Sequence, residues 1–240
     1  KNRYVFQRVE KKYLLSEDKY NLFMERIKPY MVQDHYGLHT ICNIYYDTDT
    51  YELIRHSIEK PEYKEKFRIR SYGVPNKDDT VFLEIKKKWD GIVYKRRIPL
   101  TLDEVKKYLD TYEDSTFASQ ISKEIKYFFG FYQPSPKLFL AYDRIAFFGK
   151  DNSDVRITFD QNIRSRHDEL DLAAGDYGRT LLDSSLYLME IKVASAFPMW
   201  LSSILSELKI YPTSFSKYGN IYKRDLVEST AKQKKLFYHM

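Results

Sequence analysis

The sequence predicts an α+β fold built on antiparallel strands. Three observations carry that expectation. About eight runs along the chain read as strands, and six of them carry charge on alternate residues, the period of a strand. The helical stretches fall at the ends and in two insertions, not between every pair of strands as a parallel sheet needs. Tyr and Phe, which favour strands, number 22 and 15. No Gly- or Ser-rich linker and no break in composition interrupts the 240 residues, so one domain over 1–240 is expected.

The elements follow in order. Residues 4–15 read as a strand. Ser16 then caps a helix over 17–30, with Glu17 and Asp18 in its first turn. Residues 39–46 form the second strand, and a turn at Asp47–Asp49 leads into a short helix ending at Ile58. The third strand is 64–72, closed by the polar turn Gly73–Asp79. Strands at 80–88 and 92–100 flank Asp90-Gly91, a hairpin signal. Thr101 and Glu104 fit a capping box for a helix to 110. A further helix spans 116–129, with Gly130 at its end. Strands follow at 137–148 and 154–160, and the last long strand is LYLMEIKVA within 180–194. Pro198 opens a helix to 209. A terminal helix covers 214–227, and the tail TAKQKK reads as fraying.

Several function classes drop out at once. The single cysteine, Cys42, permits no internal disulfide and no thiolate metal cluster. It lies in TICNIYY and reads as core. The five histidines are scattered, so no zinc site is expected. GxxxxGK[ST] occurs nowhere, so any nucleotide is held by side chains rather than a glycine cradle. No apolar run is long enough to span a bilayer, and no signal peptide is visible. The chain opens on Lys1 without Met, as a trimmed fragment would. A reducing, cytoplasmic compartment fits these features.

The charge is informative by position. The net +6 permits an anionic ligand, nucleic acid or a membrane surface and selects none of them. Six strands, however, carry charge on alternate residues. They place Arg8, Glu10 and Lys12 in one phase, then Lys66, Arg68 and Arg70, then Glu84, Lys86 and Lys88. Lys95 and Arg97 follow, then Arg156 with Thr158 and Asp160, and finally Glu190 and Lys192. The opposite phases are apolar: Phe67 and Ile69, Leu83 and Ile85, Met189 and Ile191. One face therefore packs under helices and the other is ionic. An open sheet would expose the ionic face to water, whereas a closed barrel would turn it inward and demand a polyanionic guest.

The residue types narrow that guest. Arg grips phosphate oxygens with a planar fork, and Lys adds compact charge. Glu binds no phosphate directly but holds Mg²⁺ or Mn²⁺, which then bridges to it. Glu10, Glu84 and Glu190 on separate strands suit a metal–polyphosphate ligand. Nucleic acid is the weaker partner class, because Glu recurs among the cations. Arg144, Arg156, Arg164 and Arg166 are further cations of this face or its rim, with Asp160 placed to neutralise one of them.

The chain resembles the polyphosphate polymerase domain of the vacuolar transporter chaperone (VTC) complex and its bacterial relatives, within the triphosphate tunnel metalloenzyme or CYTH-like superfamily. The matching pieces, in family order, are VEKKYLL (9–15), KFRIRSYG (66–73), VFLEIKKK (81–88), YKRRIPL (94–100), YDRIAFF (142–148), RITFD (156–160), LMEIKV (188–193) and SFSKYGN (214–220). The resemblance implies a closed antiparallel eight-stranded tunnel barrel with flanking helices. It implies a polyphosphate chain in a basic lumen with Mn²⁺ or Mg²⁺, and transfer of the γ-phosphate of ATP onto that chain. A separate membrane protein would be a partner, placing the domain in the cytoplasm beside a membrane.

Residue by residue, the resemblance makes Lys12, Arg68, Arg70, Lys86 and Lys95 the catalytic cations. It adds Arg97, Lys192, Ser216 and Lys217 as phosphate ligands and gives the metal to Glu190; Glu84 and Glu10 are read as its further metal ligands, and Arg144 and Arg156 as further phosphate-binding cations of the face. The superfamily's opening E-x-E-x-K here begins with Arg8, which weakens a two-metal hydrolase. Because the attacking phosphate oxygen is already anionic, in-line transfer would need positioning and charge more than a base. Two other readings remain: an inorganic or nucleoside triphosphatase, and a module that binds polyphosphate without making it.

Overall fold

The computed structural model describes residues 8–112 and 120–227. The beginning of the strand expected from 4, the first residues of the helix expected from 116, and the TAKQKK tail lie outside the described residues. In chain order the elements are β1 (Val9–Ser16), α1 (Glu17–Ile27), β2 (Met31–Gln33), β3 (His39–Asp47), α2 (Glu52–Ile58), β4 (Tyr63–Tyr72), β5 (Thr80–Trp89) and β6 (Ile92–Thr101). There follow α3 (Leu102–Thr111), α4 (Gln120–Tyr132), β7 (Ser135–Gly149), β8 (Arg156–Arg166), β9 (Arg179–Thr180), β10 (Leu186–Val193), α5 (Met199–Glu207) and α6 (Lys217–Tyr222). A π-helical turn, Lys223–Val227, continues α6.

The local signals act as expected where they are strongest. Ser16 accepts a hydrogen bond from Lys19 N and starts α1. Thr101 and Glu104 form a reciprocal capping box at α3, with Thr101 N donating to Glu104 Oε2 at 2.9 Å. Asp90 and Gly91 both have positive φ, 44° and 77°, and join Trp89 to Ile92 in a two-residue turn. The strands β2 and β9, of three and two residues, are too short for alternation to reveal. β8 runs to Arg166, beyond the expected end at 160.

The chain forms two compact units. Unit 1 comprises residues 1–40, 142–163 and 180–215. Its strands pair in the order β1-β10-β8-β7, with β2 added to β7. Tyr13, Leu15, Phe23, Phe159, Ile191 and Leu201 lie in one core cluster that includes side chains of α1 and α5. Unit 2 comprises residues 41–141, 164–179 and 216–240. Its strands run β7-β3-β4-β5-β6. Phe67, Leu83, Ile85, Phe128 and Phe139 form its core together with side chains of α3 and α4. Each of those buried side chains contributes about 1.5–3 kcal/mol relative to exposure.

The closed eight-stranded tunnel barrel is overturned. The strand path has two ends, β1 and β6, and they are not neighbours in it. Among the described residues the architecture is an α+β sheet with helices that does not close. The reason is visible in β6, which is exposed from Ile92 through Arg97 and, among the described residues, pairs only with β5. Pro99 lies inside that strand, and a residue without an N–H is tolerated at a sheet edge. The cations beside it guard such an edge.

Candidate functional site

The ionic side chains of unit 2 share one face because their registers are in phase. Lys64 stands opposite Lys88, Lys66 opposite Lys86, Arg68 opposite Glu84, and Arg70 opposite Phe82. On the next ladder Lys86 opposes Lys95 and Glu84 opposes Arg97. On β4, β5 and β6 this face carries eight cations and one carboxylate, Glu84. The alternate residues, Phe67, Ile69, Leu83, Ile85 and Ile98, are buried beneath the helices.

Three ladder positions oppose lysine to lysine, an arrangement that destabilises a sheet by about 0.2–1 kcal/mol per pair. The strain registers at Lys64. Burial first, then the charges of Lys88 and Lys60, push its ammonium below the ordinary lysine range.

At one end of the face the cations are held rigidly. Arg68 Nε donates to Glu84 Oε1 at 3.0 Å, and Arg68 Nη1 donates to the Tyr45 hydroxyl at 2.9 Å. Arg70 Nε donates to Asn43 Oδ1 at 2.9 Å and lies 3.2 Å from Glu84 Oε1. Asn43 is fully buried, and its Nδ2 donates to Leu140 O at 3.1 Å. Burial pushes the Glu84 carboxyl up, but Arg68, Arg70 and Arg97 outweigh it and hold it below the usual carboxylate range. Arg97 lies over the Phe82 ring, 4.4 Å from its centroid.

Ser216 and Lys217 open α6. Ser216 Oγ accepts from Gly219 N at 3.1 Å, so the serine caps its helix, and Lys217 is the first helical residue. The helix is anchored through Tyr218, whose hydroxyl donates to Asp47 Oδ2 at 2.9 Å. Asp47 also accepts from Thr48 N, Leu53 N and Ile54 N, fixing the start of α2.

The ionic residues of unit 1 are nearly balanced. Lys12 stands opposite Glu190 and Glu10 opposite Lys192, and Glu190 lies 3.6 Å from the Lys192 ammonium. Lys12 Nζ donates to Phe215 O at 2.7 Å. Arg156 opposes Lys192 at the exposed start of β8. Arg144 makes a two-pronged pair with buried Asp160, at 2.7 and 2.9 Å. Asp160 is thus the neutralising partner of Arg144.

Two further arginines are structural. Arg164 holds Asp176, and Arg166 donates to the carbonyls of Glu169, Asp171, Gly175 and Tyr177. Lys64, Asn43 and Tyr45 belong to the unit 2 face and were not among the expected residues, and Lys88 was expected on the ionic phase but not as a ligand. For the two lysines the signal was present: each continues, by two residues, the phase of Lys66 or Lys86.

The metal-dependent polyphosphate polymerase is overturned, and with it the assignment as an enzyme transferring phosphate. That reading requires a closed tunnel and a carboxylate group for a divalent ion. The sheet is open, and among the described residues no three His, Cys, Asp or Glu side chains group so as to hold an ion. Glu84 is clasped by Arg68 and Arg70, while Glu10 and Glu190 each face a lysine across the ladder.

A family model described as the VTC domain matches residues 7–224. Among solved structures, a candidate adenylate cyclase from Vibrio parahaemolyticus superposes with a TM-score of 0.51 at 12% identity, covering 89% of this chain and 97% of the other. A candidate adenylyl cyclase from Hippeastrum, described as having a dominant triphosphatase activity, does so with a TM-score of 0.51 at 14% identity, covering 90% and 95%. At these identities the likeness is one of fold. No curated protein matches the sequence. Among the described residues no helix is long and apolar enough to cross a membrane.

Proposed function

We propose that this chain, which belongs to the VTC domain family within the CYTH-like triphosphate tunnel superfamily, is a binding module for linear polyphosphate and for the triphosphate end of a nucleotide such as ATP. The ligand lies along the cationic face of unit 2. One observation carries this reading: lysine opposes lysine at three ladder positions on a face with eight cations and one carboxylate. A sheet that only needed solubility would intersperse the two signs. Arg68 and Arg70, pre-set by Glu84, Tyr45 and Asn43, present fixed forks to phosphate oxygens. Lys66, Lys86, Lys95 and Arg97 supply further charge. Mg²⁺ or Mn²⁺ enters as a counterion of the polyphosphate rather than on a carboxylate site of the chain.

Calorimetric titration with tripolyphosphate, with orthophosphate release followed in parallel, tests the proposal. Saturable binding that weakens steeply with salt, persists in EDTA and releases no phosphate is the expected result. Steady phosphate release would replace the module with a triphosphatase. Equal competition by single-stranded RNA would replace it with a general backbone binder.

A further inference from the structure

The hairpin of β5 and β6 ends in a feature that phosphate binding does not use. Nine consecutive residues, 89–97, are exposed, and they include Trp89, Ile92, Val93 and Tyr94. Trp89 is 58% exposed and Tyr94 48%. Tyr63, opposite Trp89 in the ladder, is 41% exposed. Tyr63, Trp89, Tyr94 and Lys87 line an open, almost wholly apolar cleft of about 400 Å³. Lys87 lies 3.7 Å from the buried carboxylate of Glu65, which fixes one wall. A cluster of large apolar side chains at a wet tip is not a core and indicates an unfilled contact.

The charge around the tip says what fills it. Lys86, Lys87 and Lys88 lie on one arm, and Lys95, Arg96 and Arg97 on the other. Asp90, in the turn, is the one carboxylate between 86 and 97, and its N–H donates to Glu62 O, bracing the tip. At about 3.3 Å per residue, Lys88 stands about 7 Å and Lys95 about 13 Å from the turn, roughly one to two Debye lengths. Lys86, Lys88, Lys95 and Arg97 point to one side of the ribbon, Lys87 and Arg96 to the other. Lys87 lies 3.7 Å from Glu65 and Arg96 3.5 Å from Glu124, so the excess positive charge beside the tip falls on the side of Lys86, Lys88, Lys95 and Arg97, where it complements an anionic surface entered by the tip. Trp and Tyr are the side chains that settle at a lipid–water boundary, with the ring in the acyl margin and the polar atom among headgroups.

We propose that the β5–β6 hairpin docks directly on an anionic lipid bilayer. Trp89, Ile92 and Tyr94 enter the interface, and the flanking lysines and arginines hold the headgroup phosphates. This inference stands on the exposed tip; it shares Lys86, Lys95 and Arg97 with the polyphosphate face, so vesicle binding is measured without polyphosphate.

The chain has two tryptophans, and Trp200 is half-buried against the Tyr30 ring, so W200F leaves Trp89 as the sole reporter. The probe is a vesicle of phosphatidylcholine, alone or mixed with phosphatidylserine. Binding to the mixed vesicle only, with a blue shift of Trp89 emission and quenching by brominated lipid, is expected. The double variant W89S/I92S should lose on the order of tenfold or more in vesicle affinity while keeping the parent's circular dichroism and thermal midpoint. Three results would each overturn the proposal. These are no vesicle binding, vesicle binding with unshifted Trp89 emission, and a vesicle-free dimer that W89S/I92S abolishes, which would give the tip to a second copy of the chain.

Discussion

Lys66 on β4 stands directly across the ladder from Lys86 on β5. Lys86 in turn stands across from Lys95 on β6, so one lysine faces two others. A folded sheet that retains such a row gives up stability to cross-strand repulsion.

Replacing the middle member separates the two effects. K86E turns two repulsive pairs into attractive ones, so the ligand-free protein should become more stable by about 0.5–1.5 kcal/mol. The same change should weaken tripolyphosphate binding by tenfold or more. Thermal melts without ligand and calorimetry with it give the two numbers. A variant that loses stability, or keeps its affinity, contradicts the role assigned to the row.

Binding should also register as stability. At tripolyphosphate concentrations 100-fold above its dissociation constant, mass action adds about 2.7 kcal/mol to the folded state. The rise in melting temperature should shrink as NaCl is added, because the contacts are charge-based. Orthophosphate at equal total charge should raise it far less, since a single phosphate spans only part of the row. Differential scanning calorimetry across a salt series checks all three statements.

Glu84 predicts a pH effect of definite sign. Its folded carboxyl titrates below the unfolded one, despite burial, because Arg68, Arg70 and Arg97 favour the anion. The stability it contributes is therefore fully present above the unfolded value of about 4.3 and is lost as pH falls through the folded value. E84Q should cost about 1–3 kcal/mol at pH 7 and flatten the stability profile below pH ~4. Urea unfolding from pH 7 to pH 3 reads the difference between the two profiles.

Tyr218 and Asp47 form a buried hydrogen bond that fastens α6 to the end of β3. Y218F leaves Asp47 with its three backbone donors and removes the fourth, at a cost of about 1–2 kcal/mol. Hydrogen exchange in residues 217–222 should speed up more than exchange in β4 or β5. Equal acceleration everywhere would make the bond a generic stability contact.

Alternation made much of the unit 2 face legible. Phe67 and Ile69 against Lys66, Arg68 and Arg70 gave both the strand and its two sides, and Asp90-Gly91 gave the hairpin that brings Lys95 and Arg97 beside Lys86 and Glu84. Closure was not legible in the same way, because phase tells which way a side chain points and not which strands meet at the ends of a path. Pro99 was the available warning, since it marks β6 as an edge. The role of Glu84 was also hidden. A carboxylate two residues from a lysine reads alike whether it binds a metal or clasps arginines, and only the register of β4 against β5 puts Arg68 across from it. Asn43 and Tyr45 looked like ordinary strand residues, because their function is to receive a guanidinium from a neighbouring strand.

The two-residue turn at Asp90-Gly91 imposes an arithmetic of parity on this hairpin. A single residue gained or lost within β6 would carry Lys95 and Arg97 to the helix side and bring Tyr94, Arg96 and Ile98 out in their place, undoing both sides together. A pair of residues would leave every side chain facing as before. Length variation in this ribbon can therefore be inherited without damage only in even steps.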